Sequence, residues 1–358
     1  MNVAYYISDY GYGHASRSIA IIRKLLEKIE SVHITICHSF AETFIKDSIE
    51  DERVTFRKLK TDIGYILDTH TLELDHEKMN QMYDYYLDNR EFCIAYEVQF
   101  LNEHHISHVI TDIYPHAIEA AEKLSIPSVG VSNFFWSDLY EAIVPAFKLK
   151  IMKQAYSKLT YFLQLDGGVN LQSEEAKVFN FFSREVEQEE VVRIRKELNL
   201  LSEETVVFYG LGMKINHHHI NQLKLWSSEN CKFIVSSHIL IDHPNVYRIP
   251  SNYLETQNFV AASDFTITKP GWSTVAEALN GKSRLLLLER DTFIEDKATI
   301  ETLKKLGLCK SYSANEFLNI KFNEKKIHEL SSIRLQSESN QNNSLKDLLQ
   351  QLIIILMN

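Results

Sequence analysis

Twice along this chain an apolar, extended-type run ends in a short glycine turn that opens directly into a helical pattern. The first is residues 3–7 followed by Asp9-Tyr10-Gly11-Tyr12-Gly13-His14-Ala15-Ser16-Arg17. The second is residues 265–268 followed by Lys269-Pro270-Gly271-Trp272-Ser273-Thr274-Val275-Ala276-Glu277-Ala278-Leu279. A strand that turns at once into a helix must find its next partner strand in parallel, so it builds a sheet with helices on its faces. The chain holds only 11 glycines, about half the usual ~7% share. Its few clusters (Gly11 with Gly13, Gly210 with Gly212, Gly271 after Pro270) therefore mark positions where the backbone itself matters.

The same alternation continues between and after these two units. In the first half, strand patterns at 3–7, 32–37, 108–111, 128–132 and 158–165 enclose helical patterns at 14–29 and 117–124. In the helical pattern 14–29, Ile19, Ile22, Leu25, Leu26 and Ile29 share one face. A weakly periodic stretch, 166–190, reads as part of a linker. A second series follows, with strands at 205–209, 232–236, 245–249, 265–268 and 283–288, and helices at 218–227, 274–279 and 296–306. The polar residues 336–343 read as a loop and 345–357 as a terminal helix packed on the body. With 358 residues and one domain per ~150, two α/β domains in series fit, each Rossmann-like and doubly wound. The expected division is 1–170, a linker 171–200, 201–340, and a terminal helix 341–358.

Composition removes several functional classes. Thirty-eight basic against 48 acidic residues leave a net charge of −10, which disfavours a nucleic-acid surface but permits a small basic pocket for phosphates. Cys37, Cys93, Cys231 and Cys309 lack paired spacing, so neither a disulfide framework nor a zinc site is expected. His217-His218-His219 and the set His104, His105 and His108 lack acidic partners at ligand spacing, and no metal is expected. No basic leader opens the chain and no apolar run reaches the ~18 residues of a membrane span. A cytoplasmic protein is expected, though the apolar residues 352–357 leave room for peripheral membrane contact.

The motifs carry the chemistry. The first turn lacks the third glycine of the dinucleotide fingerprint, because Ser16 stands there. His14 is either a helix-capping residue or a general base facing the cleft between domains. Asp112, in Thr111-Asp112-Ile113-Tyr114-Pro115, stands at the end of a parallel strand, where it either caps the next helix or orients a histidine. In the second turn Gly271, Ser273 and Thr274 suit a diphosphate at a helix N-terminus, Lys269 adds charge, and Glu277 suits a ribose. A capping box from Thr274 to Glu277 is the plainer alternative. Gly210 and Gly212 form a weaker turn that can close on phosphate oxygens. Trp272 either tightens the phosphate turn or stacks on part of the ligand.

Together these motifs resemble the GT-B glycosyltransferases. The nearest likeness is to the family-28-like transferases and to the glycosyltransferase-like N-terminal half of plant L-arabinokinases. The resemblance rests on Gly-x-Gly-His-Ala-Ser-Arg, ending at Arg17, and on Lys-Pro-Gly-x-Ser-Thr-x-x-Glu-Ala, ending at Ala278. Asp-Ile-Gly-Tyr (62–65), Ser-Asn-Phe-Phe-Trp (132–136) with Tyr140, and Arg-Asp-x-Phe-x-Glu (290–295) extend it over roughly residues 3–310. No phosphate loop rich in glycine and serine follows residue 310, so kinase activity is not implied.

The resemblance implies two domains facing across a cleft and an inverting, metal-independent transfer from a nucleoside-diphosphate sugar, a UDP-sugar, to an acceptor hydroxyl. It implies His14 as base with Asp112 beside it. Donor contacts fall on Gly11, Gly13, Gly210, Gly212, Ile249, Lys269, Gly271, Ser273, Thr274, Glu277, Glu295 and Asp296. Asn133 and Trp136 fall on the acceptor side. No cofactor beyond the nucleotide-sugar co-substrate is implied, and the acceptor has no readable signature. A hydrolase or epimerase of nucleotide sugars on the same fold is the alternative, as is a non-catalytic module that binds them.

Overall fold

The computed structural model describes residues 1–68, 73–169, 177–200, 204–212, 220–290, 293–336 and 338–358. It divides into two compact units: Met1–Phe179 with Leu345–Asn358, and Asn180–Ser344. The expected linker 171–200 is thus not a separate element. Its described part supplies a strand to the first unit and a helix to the second. From Leu345 on, the chain's last helix belongs to the first unit.

The first unit carries the strands β1 (Asn2–Tyr6), β2 (His33–His38), β3 (Val54–Lys58), β4 (His108–Thr111), β5 (Ser128–Ser132), β6 (Tyr161–Leu165) and β7 (Val178–Phe179). Its helices are α1 (Tyr12–Lys28), α2 (Glu42–Ser48), α3 (His76–Glu103), α4 (Pro115–Lys123), α5 (Trp136–Leu139) and α6 (Ala146–Tyr156). The sheet order is β3-β2-β1-β4-β5-β6-β7, with every pairing parallel. Strands covered on both faces need near-continuous apolar sequence, and β5 is buried at every residue. The chain winds outward from β1 to β3, then crosses back to lay β4 beside β1. The connections leaving β1 and β4 therefore diverge to opposite faces, and a crevice opens at the carboxyl ends of these two strands.

The second unit repeats this plan. It contains α7 (Gln188–Glu197), β8 (Thr205–Gly210), β9 (Cys231–Val235), β10 (Val246–Arg248), α8 (Gln257–Ala261), β11 (Phe265–Thr268), α9 (Trp272–Asn280), β12 (Arg284–Leu288), α10 (Ile294–Leu306), β13 (Cys309–Tyr312), α11 (Ala314–Leu318) and α12 (Glu324–Leu330). The order β10-β9-β8-β11-β12-β13 is again all parallel, with the reversal between β8 and β11. The last helix, α13 (Glu338–Met357), buries Leu348, Leu349, Leu352, Ile355 and Leu356.

Two sequence expectations are corrected. Residues 338–343 are helical, not loop, because α13 propagates backward from its apolar half through polar residues that carry no periodicity. The expected helix 218–227 is instead two short 3₁₀ turns, Ile220–Gln222 and Lys224–Ser227, whose chain reversal lets the Trp226 indole donate to the Ile220 carbonyl at 2.5 Å. The triplet His217-His218-His219 lies outside the described residues. Among the described residues no helix is long and apolar enough to cross a membrane.

Candidate active site

The first switch point brings together two residues 98 positions apart in sequence. Gly11 is the N-cap of α1 with φ +91°, a conformation glycine enters without Cβ strain, and it brings no side-chain cap. His14 follows as the third residue of the helix, with Gly13 exposed just before it. The capping alternative for His14 is therefore set aside.

Asp112 directly follows β4, and its backbone N–H donates to the Tyr6 carbonyl at 2.8 Å, which registers it against β1. The next residue, Ile113, has φ +64°. A β-branched side chain in that region costs on the order of 1–3 kcal/mol and persists only where its surroundings enforce it. Here the side chain is buried, and the Tyr156 hydroxyl donates to the Ile113 carbonyl at 3.1 Å. That turn sets the direction of the Asp112 carboxylate. The helix it introduces, α4, has Tyr114 at its N-cap and Pro115 in its first turn, so Asp112 is not its cap.

His14 Nδ1 lies 2.8 Å from Asp112 Oδ2 and 2.9 Å from Arg17 Nη2. An ionised carboxylate only accepts and so calls for a proton on Nδ1, whereas arginine only donates and calls for a lone pair on the same nitrogen, so the two neighbours pull the tautomer in opposite directions. In the tautomer in which Nδ1–H donates to Asp112, Nε2 is the nitrogen without a proton. Arg17 grips the same carboxylate as a fork, Nε to Oδ2 at 2.8 Å and Nη2 to Oδ1 at 2.6 Å. Its Nη1 donates to Asn133 Oδ1 at 2.8 Å. All three charged or polar groups are buried: 7% of His14, 3% of Arg17 and 2% of Asp112 remain exposed.

Burial alone would raise the Asp112 carboxyl, but the charge of Arg17 and the bond from His14 outweigh it and hold the group at about 2. The His14 imidazole is pushed below its ordinary value, first by burial, with Asp112 opposing and Arg17 adding to the effect. Burial and Arg17 both favour the neutral imidazole, the form that can accept a proton.

Around this pair the loops are tied by Asp9. Its carboxylate accepts from the Ser39 and Phe40 amides, both at 2.9 Å, from Ser39 Oγ at 2.7 Å and from the Thr61 amide at 3.2 Å. Asp9 thus joins the turns after β1, β2 and β3; against the effect of its burial, His38 first and then the Phe40 and Ser39 bonds hold its carboxyl well below the usual range. Asp62 accepts from the Ser8 hydroxyl and the Asp9 amide, and burial raises it to about 7. Phe134 meets the His14 ring edge-on, with centroids 5.8 Å apart. Trp136 is buried, stacked on Tyr140 and edge-on to Tyr10 and Tyr65.

The second switch point assembles the other motif. Thr268, the last residue of β11, pairs with Gly210 of β8, and its hydroxyl donates to the Gly210 carbonyl at 2.8 Å. Gly212 has φ +82°, and a Cβ there would stand 3.1 Å from Lys269 Cε. At Gly271 the corresponding distance is 3.4 Å. The Lys269 stem thus runs between the two glycine turns. Gly271 is the N-cap of α9 and supplies no side-chain cap. Thr274 is the third residue inside the helix, which rules out the capping box with Glu277. Trp272 packs on Phe181 and Phe182, at 5.4 and 5.1 Å between centroids, so its ring is committed to the core of this unit.

Glu277 is buried, and its Oε1 lies 3.3 Å from Arg184 Nη2. Arg184 also donates to the Leu254 carbonyl at 2.8 Å and approaches Thr256 Oγ1 at 3.3 Å. Ile249 directly follows β10, and its amide is already spent on the Val235 carbonyl at 3.0 Å. Asp296, in the first turn of α10 beside Glu295, receives a fork from Arg290 at 2.5 and 2.8 Å.

Sequence reading gave Arg17 and Arg184 no role. Arg17 carried a signal, since it follows His14 by one helical turn and so shares its face. Arg184 carried none, standing in a stretch without periodicity.

No family model matches the chain. Over 309 residues it is 27% identical to the L-arabinokinase of Arabidopsis thaliana, covering 82% of this chain and 28% of that protein. It therefore spans little more than a quarter of the length of this curated relative. Among solved structures, UGT2 of Phytolacca americana, complexed with UDP-2fluoro-glucose and pterostilbene, matches over 100% of both chains at a TM-score of 0.66 and 11% identity. The glycosyltransferase SnogD from Streptomyces nogalater matches over 99% of both at 0.61 and 11% identity. Arabidopsis thaliana UGT89C1 complexed with UDP-L-rhamnose matches over 98% of this chain and 93% of its own, at 0.59 and 14% identity. Two parallel doubly wound sheets in succession, each with a glycine turn at its point of reversal, give this chain the fold of the GT-B glycosyltransferases.

Proposed function

We propose that the chain transfers a sugar from a nucleoside-diphosphate sugar, a UDP-sugar, to an acceptor hydroxyl, with inversion and without a metal ion. The observation that carries this reading is the buried His14–Asp112 pair at the first switch point; in the proposed tautomer Nδ1–H faces the carboxylate and Nε2 acts as base. In the reaction, Nε2 takes the acceptor's hydroxyl proton while that oxygen attacks the anomeric carbon from the face opposite the diphosphate. The bond from C1 to the β-phosphate oxygen breaks, and its electron pair leaves with the nucleoside diphosphate. Asp112 stabilises the imidazolium so formed.

The donor belongs to the second unit. Its diphosphate is assigned to the turn of Gly271, Ser273 and Thr274, with Gly210 at the end of the neighbouring strand, Gly212 in the turn after it and Lys269 between them. The partial positive charge of the α9 N-terminus and the Lys269 ammonium offset the leaving charge. Glu277, held by Arg184, is assigned to the ribose hydroxyls. The segment around Ile249 is assigned to the base through groups other than the Ile249 amide. Glu295 and Asp296 are assigned to sugar hydroxyls, and Asn133 and Trp136 to the acceptor side. The neighbours complexed with UDP-sugars support the donor class.

The absence of a metal requirement has a direct check. UDP release from a consumed UDP-sugar is expected to continue at an undiminished rate in excess EDTA. Complete loss on chelation, restored by a divalent cation, overturns the metal-free mechanism.

A further inference from the structure

A carboxylate bonded to an imidazole ordinarily favours the imidazolium, because the negative charge stabilises it. A buried pair of that kind would be protonated near neutrality and unable to accept another proton. The surroundings of His14 differ in one respect. Asp112 holds both oxygens to the guanidinium of Arg17, and that guanidinium stands 2.9 Å from the imidazole Nδ1. With His14 neutral, Arg17 and Asp112 cancel. With His14 protonated, the buried cluster carries a net positive charge.

We propose that Arg17 is a positioning residue, a third member of the His14–Asp112 pair, which clamps the carboxylate by both oxygens and offsets its charge so that His14 stays in its proton-accepting form. The fork requires arginine, since a lysine ammonium cannot bridge both oxygens in one plane. Arg17 is itself fixed from β5 and the turn after it, by Ser132 Oγ at 3.3 Å and Asn133 Oδ1 at 2.8 Å. Other titratable groups lie near. His38, at the end of β2, adds to the depression of His14. Its Nδ1 stands 2.9 Å from Asp9, which follows β1. Asp62, after β3, faces Asp112 and is raised by its burial. Tyr5 of β1 feels both Asp112 and Arg17 and is pushed up by burial. None of these groups holds both Asp112 oxygens as Arg17 does.

The inference rests on the transferase reading only in what it says of turnover, so its test uses the imidazole itself. In protein carrying ¹³C-labelled histidine rings, the His14 signal, identified by its loss in His14→Gln, is followed against pH. The wild-type signal is expected to titrate below the ordinary histidine value of about 6.5. In Arg17→Gln the midpoint is expected to rise by about 1–3 pH units, the scale of one removed neighbouring charge. A near-isosteric second variant, Asn133→Asp, gives Arg17 a second carboxylate and is expected to raise the midpoint as well, which keeps the test available if Arg17→Gln does not fold. The acid limb of any donor turnover should move with these midpoints. A wild-type midpoint above 6.5, or variants that titrate with the wild type, overturn the role of Arg17. Shifted midpoints in a protein that turns over no nucleotide sugar leave the Arg17 assignment standing and overturn the transferase reading alone.

Discussion

Replacing His14 with alanine is expected to lower acceptor-dependent turnover by roughly 10²–10⁴-fold, the usual worth of a positioned general base. The expectation follows from geometry. With Nδ1 engaged by Asp112 at 2.8 Å and Arg17 at 2.9 Å, the proposed base function falls on Nε2, and alanine removes it. Donor affinity should stay nearly unchanged, because every assigned diphosphate and ribose contact but the turn of Gly11 and Gly13 belongs to the second unit. The fold should also survive, since Asp112 keeps the fork of Arg17. Steady-state kinetics beside a UDP titration and a thermal melt separate these effects. Near wild-type turnover in a folded His14→Ala protein would reduce the first glycine turn to a structural feature.

The second large effect is one of stability. Asp112→Ala is expected to destabilise the protein by about 3–5 kcal/mol, because it leaves the buried Arg17 charge without its counterion. Asp112→Asn keeps shape and accepts a bond from Arg17, so its loss of stability should be smaller. Its turnover should fall by as much as in His14→Ala or less, since Asp112 acts by orienting the imidazole. The double variant should lose little beyond the larger single loss, because both residues serve one proton transfer. Urea unfolding followed by circular dichroism measures the stability difference. A loss below 1 kcal/mol in Asp112→Ala would mean that Arg17 finds water or another partner, and that the cluster is less closed than its burial indicates.

The two reversals of strand order were legible in the sequence because each is marked by an apolar strand, a glycine turn and a helix start. Residues 128–132 and 265–268 match β5 and β11 residue for residue, since each is a short apolar run with abrupt ends. Other elements gave weaker signals. β3 reads Val-Thr-Phe-Arg-Lys near the sheet edge, where one side meets solvent and charge interrupts the apolar pattern. α3 buries Met79, Tyr83, Ile94, Glu97, Phe100 and Leu101, only six residues spread along 28, with a carboxylate among them, so its helical period is thinly marked. Glu97 is buried there because Tyr6 donates to it at 2.6 Å and Arg57 at 2.7 Å, partners that no local pattern announces. The site shows the same division. His14, Asp112, Lys269, Gly271 and Glu277 stand in motifs tied to strand ends and could be named from sequence. Arg17 left only the hint of its helical spacing from His14, and Arg184, which contacts Glu277, left none, because a tertiary pairing leaves no trace in the spacing of one partner.

The central claim is that the glycine turn after β11, with Lys269 and Glu277, holds a nucleoside diphosphate. Titration calorimetry with UDP in EDTA tests it without knowledge of the sugar or the acceptor. One saturable site per chain is expected for the wild type. Glu277→Ala should bind roughly 10–150-fold more weakly, the range for losing a charge-assisted hydrogen bond worth about 1.5–3 kcal/mol. No detectable UDP binding by the folded wild type, or equal affinity in a folded Glu277→Ala protein, would contradict the claim.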